Sequence, residues 1–394
     1  MPQTQMTEQN WEDWQGNDKL KRIADIKGFG NILLADKENE VFSLTAPFGF
    51  GKTFFCEGLK AYLKAQGAKC ILYNAWKSDF FDNPLIPIIS EIGETFKESP
   101  TLVENLKNRG KILLKSFSLN LSVIGINPSA SLESTDIFSE YQTYLSAIND
   151  VKSALHSIVC EETKPLIIII DELDRCRPDY AVKTLEMIKH FFDIDGVKFV
   201  ISIDEEQIKK SVKQLYGTDN FDGYIRKFVN YRFSLPEASK EDYINAVFNI
   251  RRDPGTAPAI DSVIAWSYFF GFSFRAINHV IGRLKLRFKS PAINSTLSAT
   301  LACFYEFNKD FYESIKRGEI YDFENLKNLA KTLKEKGWLT SEYSERAEFI
   351  YNSIIRYYGE KGSIIKRCSE NYSNFDLWIR PEAKEIEMIT AFRI

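Results

Sequence analysis

The sequence predicts an α/β fold, with a parallel sheet in its first part and all-helical domains behind it. Three observations carry this. Residues 40–45, EVFSLT, have the look of a short strand that runs straight into a glycine-rich loop and then a helix. Residues 165–170, PLIIII, form an apolar run stopped by Asp171, the pattern of a strand buried on both faces. After Pro236 strand patterns cease and apolar residues recur at helical spacing. Strands alternating with helices imply a layered α/β architecture.

Taken in order, residues 19–34 predict a helix with a glycine-containing interruption. Strand 40–45 is followed by helix 54–65, with Phe55, Leu59, Tyr62 and Leu63 on one side. CILYNAW at 70–76 is a second strand, and 83–96 a helix. SFSLNLSVI at 116–124 alternates polar and apolar residues, which predicts a half-buried strand or hairpin arm. The NPSASLEST stretch is a loop, 141–160 a helix, 165–170 the buried strand and 181–192 a helix. VKFVISI at 197–203 is another buried strand. Residues 240–290 and 300–360 are helical, with Leu326, Leu329 and Leu333 in register within 325–334. The domain boundary falls near 236–240.

Composition narrows the class. With 394 residues the chain is long enough for two or three domains. A net charge of −3 argues against a binder of nucleic acid by overall charge, leaving only a local basic patch. Six cysteines without a C-x-x-C pair, together with three histidines, suggest reduced thiols rather than a disulfide framework or a Cys/His metal site. The polar, acidic N-terminus lacks the basic and apolar regions of a signal peptide. No apolar run reaches the roughly 18–20 residues that span a bilayer, so a cytoplasmic protein without a membrane segment is expected.

The chemistry concentrates in two stretches. Residues 46–53, APFGFGKT, fit the pattern [A/G]-x-x-x-x-G-K-[S/T], with Ala46 in place of the commoner glycine. Its glycines let backbone N–H groups turn onto phosphate oxygens. Pro47, Phe48, Gly49, Phe50, Gly51, Lys52, Thr53 and Phe54 would then line a nucleotide's phosphates, with Lys52 on the β/γ-phosphates and Thr53 on Mg²⁺. The helix that follows presents its N-terminus to the negative charge.

The second stretch is IIIIDELDR at 167–175. Asp171, at the end of a buried strand, suits the water shell of Mg²⁺. Glu172 would orient and deprotonate the attacking water, a role worth typically ~10²–10⁴-fold in rate. The alternative for DELD is an acidic helix N-cap. At the end of strand 197–203, Asp204 or Ser202 would sense the γ-phosphate or the water; equally, Asp204 is a helix N-cap. Arg175, Arg226, Arg232 and Arg275 are candidate charge stabilisers, each with a surface salt bridge as its alternative. Arg275 stands apart because it opens the helix SFRAINHVIGRL beyond the core. Arg283, Lys285, Arg287 and Lys289 form a basic cluster, a solvated helix face or a nucleic-acid contact. Trp11, Trp14 and Trp76 are core or interface aromatics.

Four stretches, in order, resemble the KAP family of P-loop NTPases: PFGFGKTFF at 47–55, YNAWKSD at 73–79, IIDELDRCRPDYAVKTLEMIKHFFD at 169–193 and YIRKFVNYRFSLP at 224–236. The third is the most specific. The resemblance runs over about residues 18–285. It implies a core of the additional-strand, catalytic-glutamate type with a 5-1-4-3-2 parallel sheet over 1–239, in which 101–140 is a variable insertion. It further implies a helical lid at 240–300, with a C-terminal helical domain at 301–394 beyond the resemblance. It implies ATP as the nucleotide, Lys52 and Thr53 on phosphate and Mg²⁺, Asp171 on Mg²⁺, Glu172 as the catalytic carboxylate, and Arg275 as a second sensor in the lid. Many members carry Asp where Glu172 stands. Many also insert transmembrane helices between the first and third stretches; SFSLNLSVIGINPSA cannot serve as one, so the chain resembles the soluble branch, which includes phage-excluding proteins.

Three functions follow from these residues. A regulatory ATPase, coupling nucleotide state to conformational change or assembly in antiviral defence, would act as a homo-oligomer or on a partner effector. A nucleic-acid-remodelling ATPase would use 283–289. A nucleotide-binding interaction module with little turnover is disfavoured by the intact Asp171-Glu172 pair.

Overall fold

The computed structural model describes residues 10–81, 83–97, 137–191, 193–248, 257–287 and 295–316, with 347, 348, 350 and 351. The expected strand at 116–124 and the helix at 325–334 lie outside the described residues. The chain divides into two compact units that meet in sequence between Pro236 and Glu237.

The first unit is built on five parallel strands: β1 (Glu40–Thr45), β2 (Cys70–Asn74), β3 (Leu166–Asp171), β4 (Val197–Ile203) and β5 (Tyr231–Ser234). Their order across the sheet is β5-β1-β4-β3-β2, the order implied by the resemblance. One strand, β4, therefore stands between β1, which enters the glycine-rich loop, and β3, which ends in Asp171.

β3 is apolar on both faces from Leu166 to Ile170, while β1 and β4 bury Ser43, Lys198 and Ser202 among their apolar residues. Along β3, Leu166, Ile168 and Ile170 enter one core while Ile167 and Ile169 enter the other, the two-residue alternation of a strand. The first core lies under α4 (Leu85–Thr95), α5 (Ile137–Glu161), α6 (Pro178–Phe191) and α7 (Glu205–Tyr216). The second lies under α1 (Trp11–Gly16), α2 (Ile23–Leu33) and α3 (Lys52–Ala65). Trp14 is 1% exposed, and its indole lies where a Cβ on Gly58 would stand at 2.4 Å, so that helix glycine makes room for the ring. Trp11 stacks on it at 5.5 Å.

The elements differ from expectation mainly at their ends. Strand 70–76 stops at Asn74, whose side chain caps a short 3-10 turn, Ala75–Ser78, by accepting from Lys77 N–H. The helix expected at 19–34 starts only at Ile23, because Lys21 has φ 55° and breaks the run. α6 begins three residues early, at Pro178, where proline's missing N–H costs nothing. The helices α1 and Phe221–Ile225 add to the elements expected from the sequence, which anticipates α7 only through the N-cap reading of Asp204 and the short, mostly exposed β5 only through the five-stranded sheet that the resemblance implies.

The second unit contains α9 (Lys240–Phe248), α10 (Ala257–Phe269), α11 (Phe274–Arg287), α12 (Ser295–Phe307) and α13 (Lys309–Lys316); between α7 and β5 the first unit also holds α8 (Phe221–Ile225). Its centre is aromatic: Trp266 packs on Phe269, Phe270 and Phe304, and its indole N–H donates to Thr300 Oγ1 at 3.1 Å. No helix among the described residues is long and apolar enough to cross a membrane.

Candidate nucleotide site at the ends of the strands

The loop between β1 and α3 takes its shape from two left-handed glycines, Gly49 at φ 81° and Gly51 at φ 93°. A side chain at Gly51 would also stand 2.9 Å from Leu20 Cδ1. Gly51 caps α3 without any side-chain hydrogen bond, so the N–H groups of the first helical turn lack an internal acceptor. A fourteen-residue helix with an open N-terminus offers both hydrogen bonds and a favourable dipole to an anion.

Lys52, only 8% exposed, is partnered loosely. Its Nζ donates to the loop's own carbonyls, Ala46 O at 2.7 Å and Pro47 O at 3.4 Å, and Asp174 Oδ2 lies 3.7 Å away. Asp174 also accepts the backbone N–H of Asp204 at 3.1 Å. Burial pushes the Asp174 carboxyl up from its ordinary range, while the Lys52 charge draws it back.

Asp204 does two things at once. Its Oδ1 accepts from Glu206 N–H at 3.1 Å and caps α7; its Oδ2 accepts the Phe48 N–H of the loop at 3.1 Å. The cap and the loop contact coexist, tying the end of β4 to the glycine-rich loop. Ser202, the other candidate there, is fully buried in β4, beside the buried Cys56 thiol of α3.

Asp171 closes β3 and is 3% exposed. Burial pushes the Cys56 thiol and the Glu57 carboxyl of α3 up, and the Asp171 charge adds to the rise. Glu172 follows with φ 62°, a left-handed conformation that costs a non-glycine residue about 1–3 kcal/mol and clusters at functional sites. Its Oε1 accepts from Thr53 Oγ1 at 3.3 Å; its Oε2 forms an ion pair with Arg175 Nε. Burial pushes the Glu172 carboxyl up, the Arg175 charge pulls it back, and Asp171 and Asp174 add to the rise. The acidic N-cap alternative for DELD does not describe this stretch: a 3-10 turn, Leu173–Arg175, intervenes before α6, with no side-chain cap from Glu172.

The first unit thus brings together Lys52, Thr53, Glu172, Asp174 and Asp204, and joins Arg175 to them. It sets Arg232 apart, in ion pairs with Asp222 at 2.7 Å and Glu205 at 3.8 Å. Pro47 and Phe50 lie in the loop, where Phe50 N–H donates to Pro47 O at 3.4 Å, and Phe54 packs on Trp14 at 4.7 Å. Arg275 is exposed near the start of α11 in the second unit. Of the basic cluster, Arg283 is bound to Glu306 at 2.6 Å and Lys285 donates to Val247 O at 2.8 Å. Asp174, which contacts both Lys52 and Asp204, matches with Arg175 the Asp-Arg pair of the family, a pair to which the sequence assigns no role.

The residues present fit a magnesium nucleotide. A glycine-rich cradle precedes an uncapped helix, a buried lysine rests on replaceable carbonyls, and the Thr53 hydroxyl meets the carboxylate of Glu172, the residue that follows the buried Asp171. Among the described residues no group of three or more His, Cys, Asp or Glu forms a further metal centre.

The KAP family P-loop domain matches residues 22–253. Among solved structures the chain is similar to the Aeropyrum pernix ORC2 protein in its ADPNP-ADP complexes, at 12% identity, 86% of each chain and a TM-score of 0.40. It is also similar to a point variant of Thermotoga maritima RuvB, at 13% identity over 82% of this chain and 86% of that one, TM-score 0.33. A third is C. elegans PCH-2, at 13% identity over 77% and 69%, TM-score 0.31. No functional conclusion follows from likenesses this weak. No curated protein matches the chain.

Proposed function

The chain belongs to the KAP family of P-loop proteins, and from that premise we propose that it binds ATP with Mg²⁺ at residues 46–53 and hydrolyses it with Glu172 as general base. The observation that carries this is the convergence of Lys52, Thr53 and Glu172 at the open N-terminus of α3, with Thr53 and Glu172 3.3 Å apart.

Each residue has a separate task. The loop N–H groups and Lys52 hold the phosphates. Thr53 and Asp171 are the residues that would hold Mg²⁺, which when bound neutralises charge on the β- and γ-phosphates. Glu172 accepts the proton of the water that attacks the γ-phosphorus, and the bond to the β-phosphate oxygen breaks, leaving ADP and phosphate. Asp204 fixes the loop through Phe48 N–H and senses the γ-phosphate through that contact. Arg275, in the lid at 240–300, is a second sensor by the family resemblance, supplied from the same chain or from another copy.

Nucleotide entry would replace the Lys52 bonds to Ala46 and Pro47, which supports coupling of nucleotide state to conformational change. The core at 1–239, the lid and the C-terminal helical domain at 301–394 are the parts so coupled. Assembly with further copies, or action on an effector protein in the cytoplasm, is the output. A place in bacterial anti-phage defence rests on the family resemblance alone. Nucleic-acid remodelling draws no support from Arg283 and Lys285, both of which are engaged within the second unit.

ATP binding by calorimetry, and ATP turnover across a range of protein concentrations with and without DNA, test this. Binding that requires Lys52, with turnover per chain that rises with concentration and ignores DNA, is the expected result. Turnover that requires DNA would install the remodelling function instead, and the absence of ATP binding would overturn the proposal.

A further inference from the structure

Glu172 is gripped from two sides that are not equivalent. Oε1 faces the Thr53 hydroxyl across 3.3 Å, a long bond on the phosphate side of the site. Oε2 lies against Arg175 Nε, in a pair whose side chains are 13% and 26% exposed. The backbone closes the same unit, Arg175 N–H donating to Glu172 O at 3.2 Å. The guanidinium is itself held from outside the turn. Its central carbon lies 4.5 Å from the ring centroid of Phe48, a residue of the glycine-rich loop, and 5.5 Å from that of Trp76, just beyond β2. Three strand ends thus meet at one arginine. Phe48 is 45% exposed and Trp76 51%, so neither ring is needed to fill the core.

We infer that Arg175 is the positioning residue for Glu172: it anchors Oε2 so that Oε1 faces the reacting water, and Phe48 and Trp76 hold the guanidinium to that task. The inference rests on the proposal that Glu172 acts on water. A planar guanidinium suits the place because it pairs with a carboxylate at its edge while its face packs on rings, which an ammonium does not do. Since Phe48 belongs to the loop that receives the phosphates, the arginine also links loop geometry to the carboxylate.

The test is steady-state and single-turnover ATP hydrolysis with Arg175→Ala, Arg175→Lys, Trp76→Ala, Glu172→Gln and the double variant Arg175→Ala/Glu172→Gln. Arg175→Ala lowers kcat about 10–100-fold, the scale of a misplaced reacting group, and leaves KM within about threefold. Arg175→Lys recovers part of the loss, and Trp76→Ala loses less than Arg175→Ala. In the Glu172→Gln background, Arg175→Ala costs less than about twofold more, because both changes remove one function. A wild-type kcat for Arg175→Ala, or a loss confined to KM, overturns the inference. So does a full further loss in the double variant, which would put the guanidinium on the phosphate itself. If Glu172→Gln turns over ATP at the wild-type rate, the base assignment fails and the inference falls with it; if Glu172→Gln is slow and Arg175→Ala is not, the inference alone fails.

Discussion

Lys198 and Lys52 are two buried lysines at opposite ends of one sheet, and they are treated differently. Lys198, near the start of β4, is fully buried, with Asp36 and Glu40 each 2.7 Å from its ammonium. Lys52, beyond the end of β1, has two backbone carbonyls and a carboxylate at 3.7 Å. A buried charge is tolerated when it is fully paired, and Lys198 meets that condition with protein groups alone. Lys52 meets it only in part, and its partners are ones that a phosphate can replace. Burial of a lysine therefore says little about its role; the saturation of its partners separates the structural end of the sheet from the end where we propose that the nucleotide binds.

Replacing each lysine by methionine sharpens that contrast. Lys198→Met leaves Asp36 and Glu40 facing an apolar side chain. The loss is about 2–3 kcal/mol of stability by chemical denaturation, below the ~3–5 kcal/mol of a fully buried pair because Asp36 is 47% exposed. Lys52→Met changes stability little and instead weakens ATP binding by about 10–100-fold, from ~1.5–3 kcal/mol for a hydrogen bond to a charged group. If the two effects exchange places, the division between structural and ligand ends is wrong.

Smaller effects follow. Gly51→Ala forces a Cβ into a left-handed residue and against Leu20, which should cost about 1–2 kcal/mol and lower nucleotide affinity more than Gly67→Ala, where nothing lies within 4 Å of the added carbon and φ is similarly positive. Thermal melts with and without ATP separate the two. The smallest effect is on pH dependence. Hydrogen bonding to Lys198 holds the Asp36 carboxyl below its ordinary range. Its folded pKa is the lower one, so its stabilisation is present above about pH 4 and lost as pH falls through the folded value. The stability gap between wild type and Lys198→Met should narrow below about pH 4 in acid titrations followed by circular dichroism.

The sequence makes the site more legible than its surroundings. The strands β3 and β4 announce themselves by largely apolar runs, β1 by leading straight into the glycine-rich loop, and that loop because its glycines serve backbone geometry. Asp171 and Glu172 are visible as the polar stop of such a strand. The features that the sequence does not mark depend on contacts distant along the chain. β5 is four residues long and largely exposed, so neither length nor periodicity marks it. The pairing of Arg175 with Phe48 and Trp76 joins residues from three strand ends, and no local spacing encodes it. The helix cap by Asp204 is foreseeable, but only the fold shows that its other oxygen accepts the Phe48 N–H of the loop.

The central claim is that Glu172 turns bound ATP into product. It is tested most directly by single-turnover hydrolysis with Glu172→Gln, alongside its ATP affinity. Unchanged affinity with a rate lower by ~10²–10⁴-fold is the predicted result. Hydrolysis at the wild-type rate by that variant would contradict the account.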